Sequence, residues 1–208
     1  MAAEADRLAW LAGRGVATAK VVDHGQNEES AWLVTEAVTG ITAASWPSGD
    51  LATVTRSLAD AARMLHSLPI DGCPFRRDLA TTDLLASARV EAGLVDLDNL
   101  EDQYDGWTGG QLLDELRRIR PTDENLVVCH GDLTPDNVLV DPDSGQLTGL
   151  IDVGGLGLAD RWLDLAILYR ELSDGPFDRS HAAQFLRRYG VTSDPAKMSY
   201  YVLLDEFF

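Results

Sequence analysis

The sequence predicts an α+β fold, a small α/β piece followed by a larger, mostly helical domain. Three observations carry this reading. Apolar residues recur at helical spacing, as at Leu58, Ala61, Ala62 and Leu65, which is the stripe a helix needs to face a core. Three compact apolar runs crowd together near residues 126–151 and read as short buried strands: Asn125-Leu126-Val127-Val128-Cys129, Val138-Leu139-Val140 and Leu147-Thr148-Gly149-Leu150-Ile151. Two more strand-like runs, Lys20-Val21-Val22 and Ala31-Trp32-Leu33-Val34-Thr35, stand apart near the N-terminus.

Each element follows from local chemistry. Ala2 to Leu11 reads as a helix, with Leu8, Trp10 and Leu11 on it and Gly13 and Gly15 punctuating its end. Polar residues from His24 to Ser30 separate the first two strands, as in a hairpin. After Gly40 the helical stripes begin, and Leu51 to Leu68 ends at Pro69 and Gly72-Cys73-Pro74. Asp83 to Leu94 and Gly110 to Ile119 are expected helices flanking an acidic, turn-prone stretch, Asp96 to Gly106. Asp141-Pro142-Asp143-Ser144-Gly145 supplies turn residues between two of the later strands. Asp160 to Leu172, Ser180 to Tyr189 and Met198 to Phe208 complete the expected helices. The domain boundary is placed at residues 1–36 and 37–208.

Composition narrows the function. The chain has 208 residues, 45% hydrophobic and 25% charged, as in ordinary globular proteins. Its 34 acids against 17 bases give a net charge of −17. Nucleic acid is therefore not an expected partner, because phosphates approaching such a surface release no counterions. A cationic partner suits this charge, and so does plain solubility. Cys73 and Cys129 are too few and too far apart for a disulfide framework or a zinc site. The acidic start, Met1-Ala2-Ala3-Glu4-Ala5-Asp6, is unlike a signal peptide. No stretch approaches the ~18 apolar residues that cross a bilayer, so no membrane association and a cytoplasmic location are expected.

The chemistry concentrates in His130-Gly131-Asp132-Leu133-Thr134-Pro135-Asp136-Asn137, a loop between two expected strands. It holds a carboxylate and, five residues on, a carboxamide. Asp152 follows fifteen residues later, at the end of another strand and before Val153-Gly154-Gly155. Phosphoryl transfer to an alcohol needs such a set: a carboxylate for the hydroxyl proton, and oxygen ligands for magnesium. Flanking strands hold these groups still, and most of this catalysis is positioning and electrostatics.

HGDLTPDN followed by IDVGGLGLADRWLDLA resembles the catalytic and metal loops of the aminoglycoside phosphotransferases. The resemblance extends from about Glu4 to Phe208. It implies a protein-kinase-like fold: a mostly helical C-terminal lobe with a remnant of the N-terminal β lobe. It also implies an enzyme that uses ATP and Mg2+, with Asp132 as catalytic base and Asn137 and Asp152 as metal ligands. His130 is expected to support the loop through hydrogen bonds. Asp160 and Asp164 are taken as structural acids. Within the family, an acid near Asp160 ties the following helix to the catalytic loop. The nucleotide is expected near Glu4 and at the hinge backbone of Thr35, Glu36 and Ala37.

Aminoglycosides are hydroxyl-rich polycations, so their pocket calls for carboxylates. Val90-Glu91-Ala92-Gly93-Leu94-Val95-Asp96 and the ending Leu203-Leu204-Asp205-Glu206-Phe207-Phe208 are similar to the 3′-phosphotransferase subgroup. That similarity implies substrate contacts at Asn99, Glu101, Asp102, Arg170, Glu171, Asp174, Asp205, Glu206 and Phe208. For each acid taken singly, a solvated surface group is the alternative. Trp10-Leu11-Ala12-Gly13-Arg14-Gly15 and Leu33-Val34-Thr35-Glu36-Ala37-Val38 also resemble the streptomycin phosphotransferases. Phosphorylation of another small alcohol on the same fold is a further reading.

Two departures from the family pattern stand out. The family's phosphate-covering loop and its lysine have no counterpart here, and the chain begins inside the helix that carries Glu4. An N-terminally truncated chain is therefore expected, with weak ATP binding and little turnover, or a catalytically inactive fragment. Second, Gly155 stands where family members usually carry Arg, and Arg161 or Arg170 is a candidate for the compensating cation.

Overall fold

The computed structural model describes residues 1–208, the side chain of Ser48 excepted. Its first helix, α1 (Ala2–Ala12), buries Ala5, Leu8 and Leu11 on one face. An antiparallel ribbon follows, β1 (Val21–Gln26) and β2 (Ala31–Thr35), in which His24 pairs Leu33 and Gly25 pairs Trp32. β1 thus runs four residues past the expected Val22. The Asn27 side chain accepts from the Glu29 and Ser30 amides and makes the turn. Val22, Trp32 and Val34 on this ribbon are exposed. A two-residue strand, β3 (Ile41–Thr42), was not foreseen.

Helix α2 (Leu51–His66) begins where Asp50 accepts from the Thr53 amide. The predicted stripe, Leu58, Ala61, Ala62 and Leu65, is fully buried. Helix α3 (Leu79–Glu91) starts four residues before the expected Asp83, because Asp78 caps it. Helix α4 (Gly109–Arg118) opens on a reciprocal capping box between Thr108 and Gln111. Four short strands follow: β4 (Leu126–Cys129), β5 (Val138–Val140), β6 (Leu147–Leu150) and β7 (Gly157–Asp160). The last helices are α5 (Trp162–Glu171), α6 (Arg179–Tyr189) and α7 (Pro195–Asp205).

Strand pairing places the site. β3, β5 and β6 form one antiparallel sheet, and β4 pairs with β7 in another. β7 corrects the expectation that Asp160 opens a helix: Asp160 ends a buried strand opposite Leu126, and α5 starts two residues later. The core gathers α1, α2, the strands and α5 to α7, with Leu11, Leu58, Leu65, Leu133, Phe185, Tyr200 and Phe207 fully buried in it. α5 is apolar nearly all round because α6 and α7 both pack on it. Among the described residues no helix is long and apolar enough to cross a membrane.

Candidate active site

β4 delivers the chain to His130, and β5 carries it away from Asn137. Asp152 follows the end of β6 with φ 53° and ψ 52°, the one non-glycine residue with positive φ among those described. That conformation costs on the order of 1–3 kcal/mol and persists only where the surroundings enforce it. Here they do. The Ile151 amide donates to the Asn137 carbonyl at 3.1 Å, and His130 Nε2 donates to the Ile151 carbonyl at 3.0 Å. The two loops meet main chain to main chain at Gly131 and Gly155. Gly131 has φ 87°, and a Cβ there would collide with the Gly155 carbonyl. A Cβ on Gly155 would lie 3.1 Å from the Gly131 carbonyl carbon, so an arginine here would press on the catalytic loop. Neither candidate compensating cation serves the two loops. Arg161 donates to Asn125 Oδ1 at 2.8 Å, and Arg170 sits among acids elsewhere.

The expected base and metal ligands are brought together. Asn137 Nδ2 donates to both the carbonyl and Oδ2 of Asp132, each at 2.9 Å. Its carboxamide oxygen takes no hydrogen bond among the described residues and remains available as a ligand. Burial pushes the Asp132 carboxyl above its ordinary value, and the nearby carboxylates Asp205 and Asp152 push the same way. His130 and the Asn137 hydrogen bond pull it back in part. Oxygen donors from Asn137 and Asp152, beside the Asp132 carboxylate, suit a hard divalent cation such as magnesium.

The catalytic loop is held from behind. Asp164, fully buried on α5, accepts from the His130 amide at 2.8 Å and the Gly131 amide at 2.9 Å. Asp164 is structural, as expected, and sealed from solvent. The family's tie from helix to catalytic loop falls on Asp164, four residues beyond Asp160. Asp160 instead accepts from the Asn125 and Trp162 amides and from Lys197 Nζ, the last at 2.8 Å. It is structural, as expected.

An acid-walled cavity of about 490 Å³ lies at the C-terminal end of the chain. Of the nine expected substrate residues, seven line it: Asn99, Glu101, Arg170, Glu171, Asp205, Glu206 and Phe208. Arg170 pairs with Asp205 at 2.8 Å, Glu171 at 3.1 Å and Glu101 at 3.5 Å. Asp102 lies beside a shallower neighbouring depression, and Asp174 is exposed, accepting from the Gly175 amide. The charge of Asp205 on the cavity wall is among those that push the Asp132 carboxyl up. Phe207 is buried, and Phe208 lies under the Arg77 guanidinium at 4.7 Å. Arg89 donates to the Phe207 carbonyl. Sequence reasoning missed Arg77 and Arg89, whose contacts with Phe208 and the Phe207 carbonyl span 131 and 118 residues of chain.

The expected nucleotide residues are more scattered. Thr35 pairs with Val21 at the end of β2. The Glu36 amide donates to the Lys20 carbonyl, and its side chain pairs with Lys20 Nζ at 2.9 Å in solvent. The Ala37 amide and the Glu36 carbonyl have no backbone partner among the described residues. They border a cavity of about 250 Å³ with Thr18 and Thr148. Glu4 is half-buried on α1 and enters no ion pair among the described residues. α1 is fixed to the loop that follows Asp152 by Arg7, whose Nε donates to the Leu156 carbonyl at 2.9 Å.

Comparison with known proteins follows the same lines. Residues 1–201 match the model of the phosphotransferase enzyme family APH. An aminoglycoside 3′-phosphotransferase from Streptomyces ribosidificus is 51% identical over 212 residues, covering 99% of this chain and 80% of the relative. A crystal structure of an aminoglycoside 3′-phosphotransferase of type VIII superposes with a TM-score of 0.95 at 48% identity, covering 99% of this chain and 79% of that one. The aminoglycoside phosphotransferase APH(3'')-Id from Streptomyces rimosus, in complex with ADP and streptomycin, superposes at 0.88 with 33% identity. That match covers 99% of this chain and 80% of the other.

Proposed function

Because the chain belongs to the APH phosphotransferase enzyme family, we propose that it transfers the γ-phosphoryl group of ATP to the 3′ hydroxyl of an aminoglycoside. The observation that carries this reading is the geometry of the loop, where Asn137 Nδ2 donates to the Asp132 carboxylate at 2.9 Å, together with a separate acid-walled cavity. Asp132 takes the proton of the acceptor hydroxyl. The acceptor oxygen bonds to the γ-phosphorus as the bridging P–O bond breaks, and ADP leaves with that electron pair. Asn137 and Asp152 would hold magnesium, which when bound neutralises charge on the phosphate oxygens. The strained Asp152 backbone supports this role, since strain of this kind persists where function needs it.

Recognition of the acceptor falls to Asn99, Glu101, Arg170, Glu171, Asp205, Glu206 and Phe208, with Asp102 and Asp174 reached from the rim. Several carboxylates give a polycation many partners, while Arg170 keeps the empty cavity from repelling itself. The nucleotide base lies against the hinge at Thr35, Glu36 and Ala37, through main-chain groups. Glu4 is assigned to the phosphate end of the nucleotide. In this reading residues 1–36 serve the nucleotide and residues 37–208 the chemistry and the acceptor. A streptomycin acceptor is the second reading, favoured by the likeness to the Streptomyces rimosus enzyme. The higher identity to 3′ enzymes, 51% against 33%, puts the 3′ acceptor first.

The test is ATP consumption by the purified protein with magnesium and kanamycin, streptomycin or choline, followed by NMR of the product. Kanamycin-dependent consumption with the phosphate on the 3′ carbon is expected. Consumption with choline alone, or with no acceptor at all, overturns the proposal.

A further inference from the structure

Behind the catalytic loop lies a buried chain of hydrogen bonds that begins far from any reacting atom. His66, the last residue of α2, has a side chain only 3% exposed. Its Nε2 lies 2.9 Å from Asp164 Oδ2 and its Nδ1 lies 2.8 Å from the Tyr189 hydroxyl at the end of α6. The Tyr189 ring also meets the imidazole edge to face, with centroids 5.5 Å apart. Asp164 Oδ2 accepts from the His130 amide as well, and Oδ1 from the Gly131 amide. The route therefore runs Tyr189 to His66 to Asp164 to the two residues immediately before Asp132. It joins α2, α5 and α6 over sequence separations of 98 and 123 residues.

Cys129 Sγ also lies within 4.8 Å of the His66 and Asp164 ligand atoms. These atoms do not make a cation site. Burial pushes the thiol far above its ordinary value, and it donates to the Asp160 carbonyl at 3.3 Å. Both imidazole nitrogens and both carboxylate oxygens are already engaged.

A carboxylate that holds two backbone amides must itself be aimed. Asp164 can rotate about its Cα–Cβ and Cβ–Cγ bonds, and each amide bond alone would tolerate several rotations. Donation from His66 to Oδ2 removes that freedom, and Tyr189 fixes the ring that donates. Such a third group, orienting the residue that orients the active one, restricts geometry at the reacting atom.

We infer that His66 is a positioning residue of the phosphotransfer reaction, locking the Asp164 carboxylate and through it the backbone from which Asp132 projects. The inference rests on the proposed phosphotransfer, and its consequence for the backbone is independent of it. His66→Leu removes the donor and keeps the volume apolar. His66→Gln returns an amide N–H at the reach of Nε2. Tyr189→Phe loosens only the far end of the route.

The experiment combines steady-state kinetics with amide hydrogen exchange on the three variants. In His66→Leu, exchange at the His130 and Gly131 amides should rise about tenfold over that at Val127 and Val128, a local opening and not a global one. Its kcat should fall about ten- to a hundredfold, as small misplacements of catalytic groups do. Both KM values should stay within about threefold. His66→Gln should recover most of kcat, and Tyr189→Phe should fall between wild type and His66→Leu. Equal kcat in His66→Leu and His66→Gln at equal melting temperature would overturn the inference, and so would unchanged exchange at His130 and Gly131. A wild type with no turnover defeats the proposed function instead, and the exchange measurement still decides the locking.

Discussion

The catalytic loop and the acidic cavity are both built from carboxylates, yet they are held in opposite ways. Behind the loop, Asp164 is sealed from solvent and fully engaged by donors from the backbone and an imidazole. In the cavity, Glu101, Arg170 and Asp205 are each about a third exposed and bound mainly to one another. The first arrangement is stiff, because a buried acceptor that loses a donor has no water to replace it. The second is adaptable, because Arg170 is shared among three acids and any one pair can open into water. The proposed function places chemistry on the stiff region and recognition of a flexible polycation on the adaptable one.

The comparison breaks most readily at Asp164. Asp164→Ala leaves two backbone amides and His66 without their acceptor and should cost about 3–5 kcal/mol of unfolding free energy. Denaturant titration measures it, and a loss under about 1 kcal/mol would place the loop among ordinary surface turns. The pH dependence has a definite sign. Burial alone would raise the Asp164 carboxyl, but hydrogen bonds and charge from His66, the field of His130 and the Gly131 amide lower it below 3.8. The folded state thus binds this proton less readily than the unfolded chain. Its stabilisation is present above the unfolded value and is lost as pH falls through the lower folded value. The stability gap between wild type and Asp164→Asn should therefore narrow below about pH 4.

Smaller effects belong to the cavity. Asp205→Asn should raise the aminoglycoside KM about tenfold and leave the ATP KM within about twofold. The wild-type aminoglycoside KM should itself climb between low and physiological salt, since these charges are partly solvated. A salt-independent KM would mean that recognition is not carried by these acids. The smallest effect is expected at Lys20→Ala. Its pair with Glu36 is exposed on both sides, and its removal should change stability by about 0.5 kcal/mol or less in the same titration.

The two regions also differ in how much of them the sequence disclosed. Asp132, Asn137 and Asp152 were legible because two loops, each following an apolar run, concentrate them within twenty-one residues. The cavity acids were reachable only through resemblance, since single acids on turns look like any solvated surface. β7 was missed because Gly157-Leu158-Ala159-Asp160 carries no β-branched or aromatic residue, and its pairing with β4 makes it a strand. The early start of α3 was missed because the Asp78 cap precedes the apolar stripe. His66 gave no signal at all. It closes an ordinary amphipathic helix, and its partners lie 98 and 123 residues away. Contacts at that separation are set by packing, which local pattern does not encode.

The central claim is that Asp132 does the chemistry and the cavity does the binding, and one variant tests it most directly. Asp132→Ala, assayed with ATP, magnesium and kanamycin, should lose about 10²- to 10⁴-fold in kcat. Its aminoglycoside KM should stay within about threefold of wild type. A kcat near that of wild type, or a loss confined to KM, would contradict the account.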